Sequence, residues 1–178
     1  MRITGGTLAG RQVKVPPGII RPAMDKMRVS VFAVLGDLTG LSFLDLFTGS
    51  GIIALEAASR GASYIEAVEM DPLKRKILLE NVGISPVRIN CRFMPAELYI
   101  KRGKQPFDLI FCDPPFNYKF KRELILNICA SDLAKDKTII MIHRQRSENC
   151  GSDIPNLELF DTREYGRSIV DFMLFREK

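Results

Sequence analysis

Between Leu41 and Cys112 the chain alternates two kinds of segment, and this alternation restricts its fold more than any other feature. "LSFLDLF" (Leu41 to Phe47), "YIEAVE" (Tyr64 to Glu69), "VRINC" (Val87 to Cys91) and "FDLIFC" (Phe107 to Cys112) read as strands of a covered sheet. Helical stretches separate them: Ile52 to Arg60 ending at Gly61, then Leu73 to Val82 behind Asp71 and Pro72, a good N-cap and first-turn pair, then a short helix from Pro95. Strands alternating with helices require a parallel sheet with right-handed crossovers, an α/β fold. A helix near Lys119 to Ala130 and the strand "TIIMIH" (Thr138 to His143) continue the pattern. The tail, "LELFDTREYGRSIVDFMLF", reads as two strands turned at Tyr165-Gly166-Arg167, which adds an antiparallel strand to one edge.

Ahead of the alternation, residues 1 to 15 form a small hairpin pattern with Gly5, Gly6 and Gly10 as turn residues, and "PPGIIRP" follows as a stiff connector. Met24, Met27, Val31 and Leu35 recur at three- and four-residue steps, which predicts an amphipathic helix over 24–35 with Asp25, Lys26 and Arg28 off its buried stripe. Residues 1 to 30 hold six basic side chains (Arg2, Arg11, Lys14, Arg21, Lys26, Arg28) against one acid, Asp25. Their balance equals the formal charge of the whole chain, +5, so the excess belongs to one segment, as expected of an arm that meets a polyanion.

A length of 178 residues with 46% apolar and 26% charged side chains suits one soluble domain. No apolar run approaches the ~20 residues of a membrane span, and the amino terminus lacks the apolar middle of a signal peptide, so a cytosolic protein without membrane contact is expected. Cys91, Cys112, Cys129 and Cys150 offer no CxxC pair and no close metal-ligand cluster, and are read as reduced structural thiols. His143 has no second ligand candidate beside it. No metal is expected, and His143 is assigned to the surface or to contact with the polyanion. Lys101, Arg102 and Lys104 suit a solvated helix terminus.

Two loops carry candidate chemistry. In "DLFTGSGIIALE", Gly49 and Gly51 let the backbone turn tightly and approach a ligand, and the helix from Ile52 presents free N–H groups. Gly49-Ser50-Gly51-Ile52-Ile53-Ala54 fits the loose GxGxxG/A pattern, and Glu69 lies about 20 residues on, where a carboxylate can accept both ribose hydroxyls. A nicotinamide dinucleotide and S-adenosylmethionine compete for such a loop. Asp45, within the strand ahead of it, would repel a pyrophosphate yet can pair with the ammonium of a methionine moiety, which favours S-adenosylmethionine. Met70 is placed beside the adenine, with Asp71 occupied in capping its helix.

The second loop is "DPPF", Asp113 to Phe116. Pro114 and Pro115 lack the N–H groups that would extend the strand's ladder, so it stops there and leaves Asp113 at the carboxyl edge of the sheet, where open α/β folds put their ligands. An exocyclic amine on a base is a poor nucleophile because its lone pair is delocalised into the ring. A carboxylate accepting one N–H and a backbone carbonyl accepting the other can turn that lone pair toward a methyl donor, while an aromatic ring stacks on the base. Asp113, the carbonyl of Pro114 and Phe116 supply those functions, and Tyr118, Lys119, Lys121 and Arg122 follow closely enough to touch flanking nucleotides. Cys112 is assigned to packing.

"DLFTGSG", "VEMDP" and "DPPF", in that order, resemble the motifs of class I S-adenosylmethionine-dependent methyltransferases acting on base amino groups. "MRITGG" with Gly10-Arg11, "RPAMDKMR" from Arg21, and "EYG" near the end narrow the resemblance to the RsmD family, which methylates a guanine N2 of bacterial small-subunit (16S) ribosomal RNA. The resemblance implies a Rossmann-like seven-stranded α/β fold, mostly parallel with one antiparallel strand, as a single domain over residues 1–178. Residues 1–36 would form a basic RNA-binding extension. It places the S-adenosylmethionine site on Asp45, Phe47, Thr48, Gly49, Ser50, Gly51 and Glu69, next to the Met70 already set beside the adenine, and the catalytic tetrapeptide on Asp113, Pro114, Pro115 and Phe116. RNA contact is expected of Arg2, Arg11, Arg21, Arg28 and Tyr118, on 16S ribosomal RNA within a partly or fully assembled small subunit, by a monomer in the cytoplasm. The chain departs from the family pattern at Ala23, Met24 and Val29, where two threonines and a glutamate are usual. At Phe93 and Met94 it lacks the usual Asp or Asn facing the adenine. Residue chemistry alone leaves an adenine-N6 methyltransferase open. A nicotinamide-dependent oxidoreductase leaves Asp45, the prolines and the basic arm unexplained, and the intact tetrapeptide argues against a non-catalytic assembly factor.

Overall fold

The computed structural model describes residues 1–16, 25–150 and 153–177. Helix α1 spans Asp25–Leu35, and then strands and helices alternate: β1 (Ser42–Leu46), α2 (Ile52–Ser59), β2 (Tyr64–Val68), α3 (Arg75–Val82), β3 (Ile89–Arg92), α4 (Ala96–Arg102), β4 (Phe107–Cys112), α5 (Lys121–Cys129), β5 (Ala134–Gln145), β6 (Leu157–Tyr165) and β7 (Ser168–Phe175). One seven-stranded sheet has the order β3-β2-β1-β4-β5-β7-β6. The pairings among β1 to β5 are parallel, and β7 runs antiparallel to both of its neighbours. The α/β class, the mostly parallel sheet and the single reversed strand therefore agree with the sequence reading. Asp71 caps as expected: its side chain accepts the N–H of Leu73 at 2.9 Å, although the first turn, Pro72–Lys74, is 3₁₀ and the α-helix starts only at Arg75.

Strand side chains alternate between two apolar layers. Phe43, Ile65, Leu109 and Phe111 pack with α1, α2 and the amino-terminal hairpin, whereas Leu44, Leu46, Ile110, Cys112, Ile140 and Ile142 pack with α4 and α5. Because both faces are covered, the inner strands carry near-continuous apolar runs. The strand order reverses direction between β1 and β4, whose ends are adjacent, and the crevice beyond such a switch point is where open sheets take ligands. Among the described residues no helix is long and apolar enough to cross a membrane.

The amino-terminal segment forms a short hairpin, with Arg2 bridged to Gln12, and its Ile3, Leu8 and Val13 join the core of the first layer. Thr7 and Leu8 donate their main-chain N–H groups to the carbonyl and hydroxyl of Ser59, both at 2.8 Å. Gly6, at φ 76°, permits this seat, since a Cβ there would lie 1.9 Å from the Ser59 carbonyl oxygen.

The structure corrects the reading of α1. Its buried residues are Met27, Arg28, Val31 and Phe32, so the stripe is rotated toward Arg28 and Phe32. Arg28 is fully buried, with Nε 2.9 Å from Glu56, itself fully buried, and Nη2 2.7 Å from both Asp25 and the Arg2 carbonyl. Glu56 also accepts from the N–H and hydroxyl of Thr4, at 2.8 and 3.0 Å, and pairs with Arg60. Arg28 thus ties the hairpin, α1 and α2 together and cannot reach RNA. A lone buried guanidinium would be very costly; this one is neutralised by the carboxylates of Glu56 and Asp25. Arg21, Met24 and most of the connector lie outside the described residues.

Candidate active site

The two candidate loops leave adjacent parallel strands. Leu46 pairs with Cys112 in the β1–β4 register, and the next main-chain N–H, that of Asp113, donates to the Leu46 carbonyl at 3.3 Å. After β1 the backbone turns through positive φ at Phe47 (67°), Gly49 (57°) and Gly51 (82°). Gly51 is required for packing as well as conformation, because a Cβ there would come within 2.8 Å of Leu78 on α3. The turn is fastened at both ends: Thr48 N–H donates to the Val68 carbonyl and Gly51 N–H to the Thr48 carbonyl, each at 2.9 Å.

Three carboxylates ring this loop. Glu69 is buried; one of its oxygens accepts the Gly49 N–H at 2.9 Å and the other the Asp71 N–H at 2.8 Å, with Lys74 3.5 Å away. Its carboxylate shapes the turn, and retains lone pairs for a ligand's hydroxyls. Asp45 is buried beneath the loop, where one oxygen accepts the Thr48 hydroxyl and, at 3.2 Å, the Ala54 N–H. Its other oxygen, Oδ1, is buried with no hydrogen-bond partner among the described residues. Burial pushes the Asp45 carboxyl up to about 8, the negative charges of Asp113 and Glu69 push the same way, and the hydrogen bonds from Thr48 and Ala54 oppose them. A buried acid with an orphaned oxygen, close to two further acids, suits a cationic ligand, whose charge would favour the acid's ionised form. The sulfonium and ammonium of S-adenosylmethionine fit such a donor set, and a pyrophosphate does not. Met70 is 63% exposed where the chain leaves β2, and Phe93 is stacked under the Arg75 guanidinium at 4.5 Å.

Across the crevice Asp113 keeps 25% of its side chain exposed, Pro114 is buried, and Phe116 is half-buried. The tetrapeptide's loop closes with the Tyr118 N–H on the Pro115 carbonyl at 2.8 Å. Tyr118 packs edge-on against Phe47 of the other loop, ring centroids 5.5 Å apart, and its hydroxyl donates to Glu97 at 2.6 Å. Tyr118 in turn meets the 62% exposed Phe120 edge-on, ring centroids 6.1 Å apart.

Two basic residues read as RNA-facing are internal instead. Lys121 is buried, and its ammonium donates to the Tyr118 carbonyl at 2.7 Å and the Phe116 carbonyl at 3.4 Å while pairing with Glu148 at 2.8 Å. It braces the candidate loop from within. His143 is also buried, at the end of β5, with Nδ1 2.8 Å from Oδ1 of Asp113 and its ring edge-on to Phe116 at a centroid distance of 5.6 Å. No short-range pattern marks either contact, since each depends on how β4, β5 and the loop after β5 come together. Cys112 is fully buried and its thiol is pushed far up by burial, in keeping with a packing role. In the hairpin Arg2 and Arg11 are exposed, with Arg2 3.4 Å from Asp25.

Among known proteins, the chain is 30% identical over 150 residues to ribosomal RNA small subunit methyltransferase D of Escherichia coli K12, covering 82% of this chain and 75% of that one. The protein of the same description from Haemophilus influenzae is 28% identical over 159 residues, 83% of this chain and 80% of its own. Among solved structures, "Putative methyltransferase yhhF from Escherichia coli" superposes with a TM-score of 0.89 at 25% identity, covering 100% of this chain and 99% of that one. The family model described as Conserved hypothetical protein 95 matches residues 1–174, and the chain belongs to that family, the RsmD family.

Proposed function

We propose that this protein transfers the methyl group of S-adenosylmethionine to the exocyclic N2 of a guanine in small-subunit (16S) ribosomal RNA. One observation carries the reading: the Asp-Pro-Pro-Phe loop starts at the main-chain bond from Asp113 to Leu46, where the acid-ringed glycine loop also starts. A cationic donor on one loop and an amine acceptor on the other are thereby held side by side. The E. coli and H. influenzae relatives, described as small-subunit ribosomal RNA methyltransferases, support the same substrate class.

In this reading Asp45 and the Gly49–Gly51 turn receive the amino-acid end of the cofactor, and Glu69 its ribose. The bound cofactor supplies an electrophilic methyl group on a sulfonium. Asp113 accepts one N–H of the target amine, the Pro114 carbonyl accepts the other, and Phe116 stacks on the base, so that the nitrogen lone pair points along the S–CH3 axis. When bound, the cofactor would give up its methyl group to the nitrogen and keep the S–C bond pair as a thioether, and the proton shed by the amine would leave along its hydrogen bond to the partly exposed Asp113 toward solvent. Stacking on one ring is worth roughly 1–3 kcal/mol, and a paired base must first be flipped out. Lys121 holds the Phe116 and Tyr118 carbonyls, so the loop enters the reaction preorganised.

Arg2 and Arg11 on the hairpin, with Lys119 and Arg122 beside Tyr118 and Phe120, form the RNA-facing surface, all exposed apart from the half-buried Tyr118. Residues 1–36 act as a basic extension of one domain, whose monomer works in the cytoplasm on a partly or fully assembled small subunit. Labelled methyl transfer to small-subunit RNA and to particles lacking the modification, followed by mass spectrometry of the nucleosides, tests the proposal. N2-methylguanosine is expected; N6-methyladenosine would retain the mechanism and overturn the target, and no transfer to either substrate would overturn the activity.

A further inference from the structure

His143 lies outside every motif that marks the site, yet it touches two of the four residues of the tetrapeptide. It stands at the carboxyl end of β5, one step beyond the Cys112–Ile142 pair of the β4–β5 register, which brings it level with Asp113. Its Nδ1 is 2.8 Å from Asp113 Oδ1, and its ring meets Phe116 at 64°. Its Nε2 is buried without a partner among the described residues.

These facts select a tautomer. A carboxylate only accepts hydrogen bonds, so a short contact with Asp113 requires the proton on Nδ1. Nε2 then carries a lone pair. A proton there, as in the other tautomer or in the cation, would be a buried donor with no acceptor, which is the costlier way to leave a polar atom unpaired.

We infer that His143 is a positioning residue for methyl transfer: its Nδ1–H holds Oδ1 of Asp113 and its ring sets Phe116, leaving Oδ2 of Asp113 for the target amine. The inference rests on the methyltransferase reading above. One imidazole then fixes the acceptor and the stacking ring relative to each other, and misplacing either by about 1 Å would cost on the order of 100-fold in rate. His143 touches no substrate atom and takes no proton in this role.

His143 is the only histidine in the chain, so selective ¹⁵N labelling gives one pair of ring nitrogens to observe. In the full-length protein the Nδ1–H tautomer is expected, with a downfield proton that disappears in Asp113→Ala; an Nε2–H tautomer overturns the inference. Kinetics test the consequence. His143→Phe, which keeps a ring but no donor, is expected to lower kcat on the order of 100-fold, with KM for S-adenosylmethionine and RNA within about 2-fold. His143→Asn, whose amide can place an N–H where Nδ1 stands, is expected to recover at least about a tenth of the wild-type kcat. Wild-type kcat in His143→Phe overturns the role, as does an equally deep loss in a folded His143→Asn. Wild-type protein that transfers no methyl group to RNA overturns the underlying reading instead.

Discussion

The main-chain N–H of Asp113 donates to the carbonyl of Leu46 across 3.3 Å, so the carboxylate of the proline-rich loop begins where the glycine-rich loop begins. The bond belongs to backbone, which separates the position of Asp113 from its chemistry. Asp113→Ala is therefore expected to keep the fold, destabilised only by the about 1–3 kcal/mol of leaving the buried His143 Nδ1–H unpaired, while methyl transfer falls by about 10²–10³-fold. Thermal denaturation beside a labelled-methyl assay checks both halves. Near-normal turnover would remove Asp113 from the mechanism.

Asp45 makes the cofactor-free protein sensitive to pH. Its carboxyl is raised by burial from 3.8 to about 8, so the native state holds a proton that the unfolded chain has released. Stability from this group is full below pH ~4 and declines as pH rises through about 8, by at most ~1.4 kcal/mol per pH unit. A cation binds the ionised form, so affinity for S-adenosylmethionine is expected to rise with pH up to about 8, by no more than about tenfold per unit. Asp45→Asn mimics the neutral acid; it should flatten both profiles, melt above wild type near pH 9 without cofactor, and bind cofactor weakly throughout. Calorimetry from pH 6 to 9 measures each.

Glu56 is the buried centre to which Arg28, Arg60 and Thr4 converge. Glu56→Gln deprives the buried Arg28 guanidinium of its fully buried carboxylate partner and leaves it the half-exposed Asp25, which is expected to cost about 3–5 kcal/mol. Hydrogen exchange should speed up first in the hairpin, where Thr4 is deprived of a charged acceptor. Cofactor affinity, measured well below the lowered melting temperature, should stay at the wild-type value, because neither Asp45 nor Glu69 touches this cluster.

How far the sequence carried the structure follows from which interactions are local. The alternation of strands and helices, the terminal hairpin with its reversed strand, the Asp71 cap and the two candidate loops all depend on short-range periodicity, turn residues and the rules of parallel sheets, so they can be read from a single chain. Arg28, Lys121 and His143 could not be placed that way. Arg28 looks solvated because its partner Glu56 lies on another helix, 28 residues on; Lys121 looks like a loop cation because the carbonyls it holds are visible only once the loop is folded; and His143 meets Asp113 only through the β4–β5 register. In each case a charged or polar side chain was buried by a long-range partner, and amphipathic patterning reports no such partner.

The same distinction decides which arginines are free to reach an RNA. Arg2 and Arg11 are exposed on the hairpin, whereas Arg28 is enclosed. The 3.4 Å approach of Arg2 to Asp25 is a surface pair worth at most ~1 kcal/mol, too little to keep Arg2 from a phosphate. Withdrawing one cation from a phosphate should flatten the slope of log K against log salt by about 0.7 on single strands and 0.9 on duplex. Reversing both residues, Arg2→Glu with Arg11→Glu, is thus expected to weaken binding to small-subunit RNA and to flatten the slope by roughly 1.4–1.8, with cofactor affinity unchanged. Binding titrations between roughly 50 and 200 mM salt provide the check. An unchanged slope would mean that the hairpin's positive charge faces only solvent, and that the RNA is held by the surface around Lys119, Phe120 and Arg122.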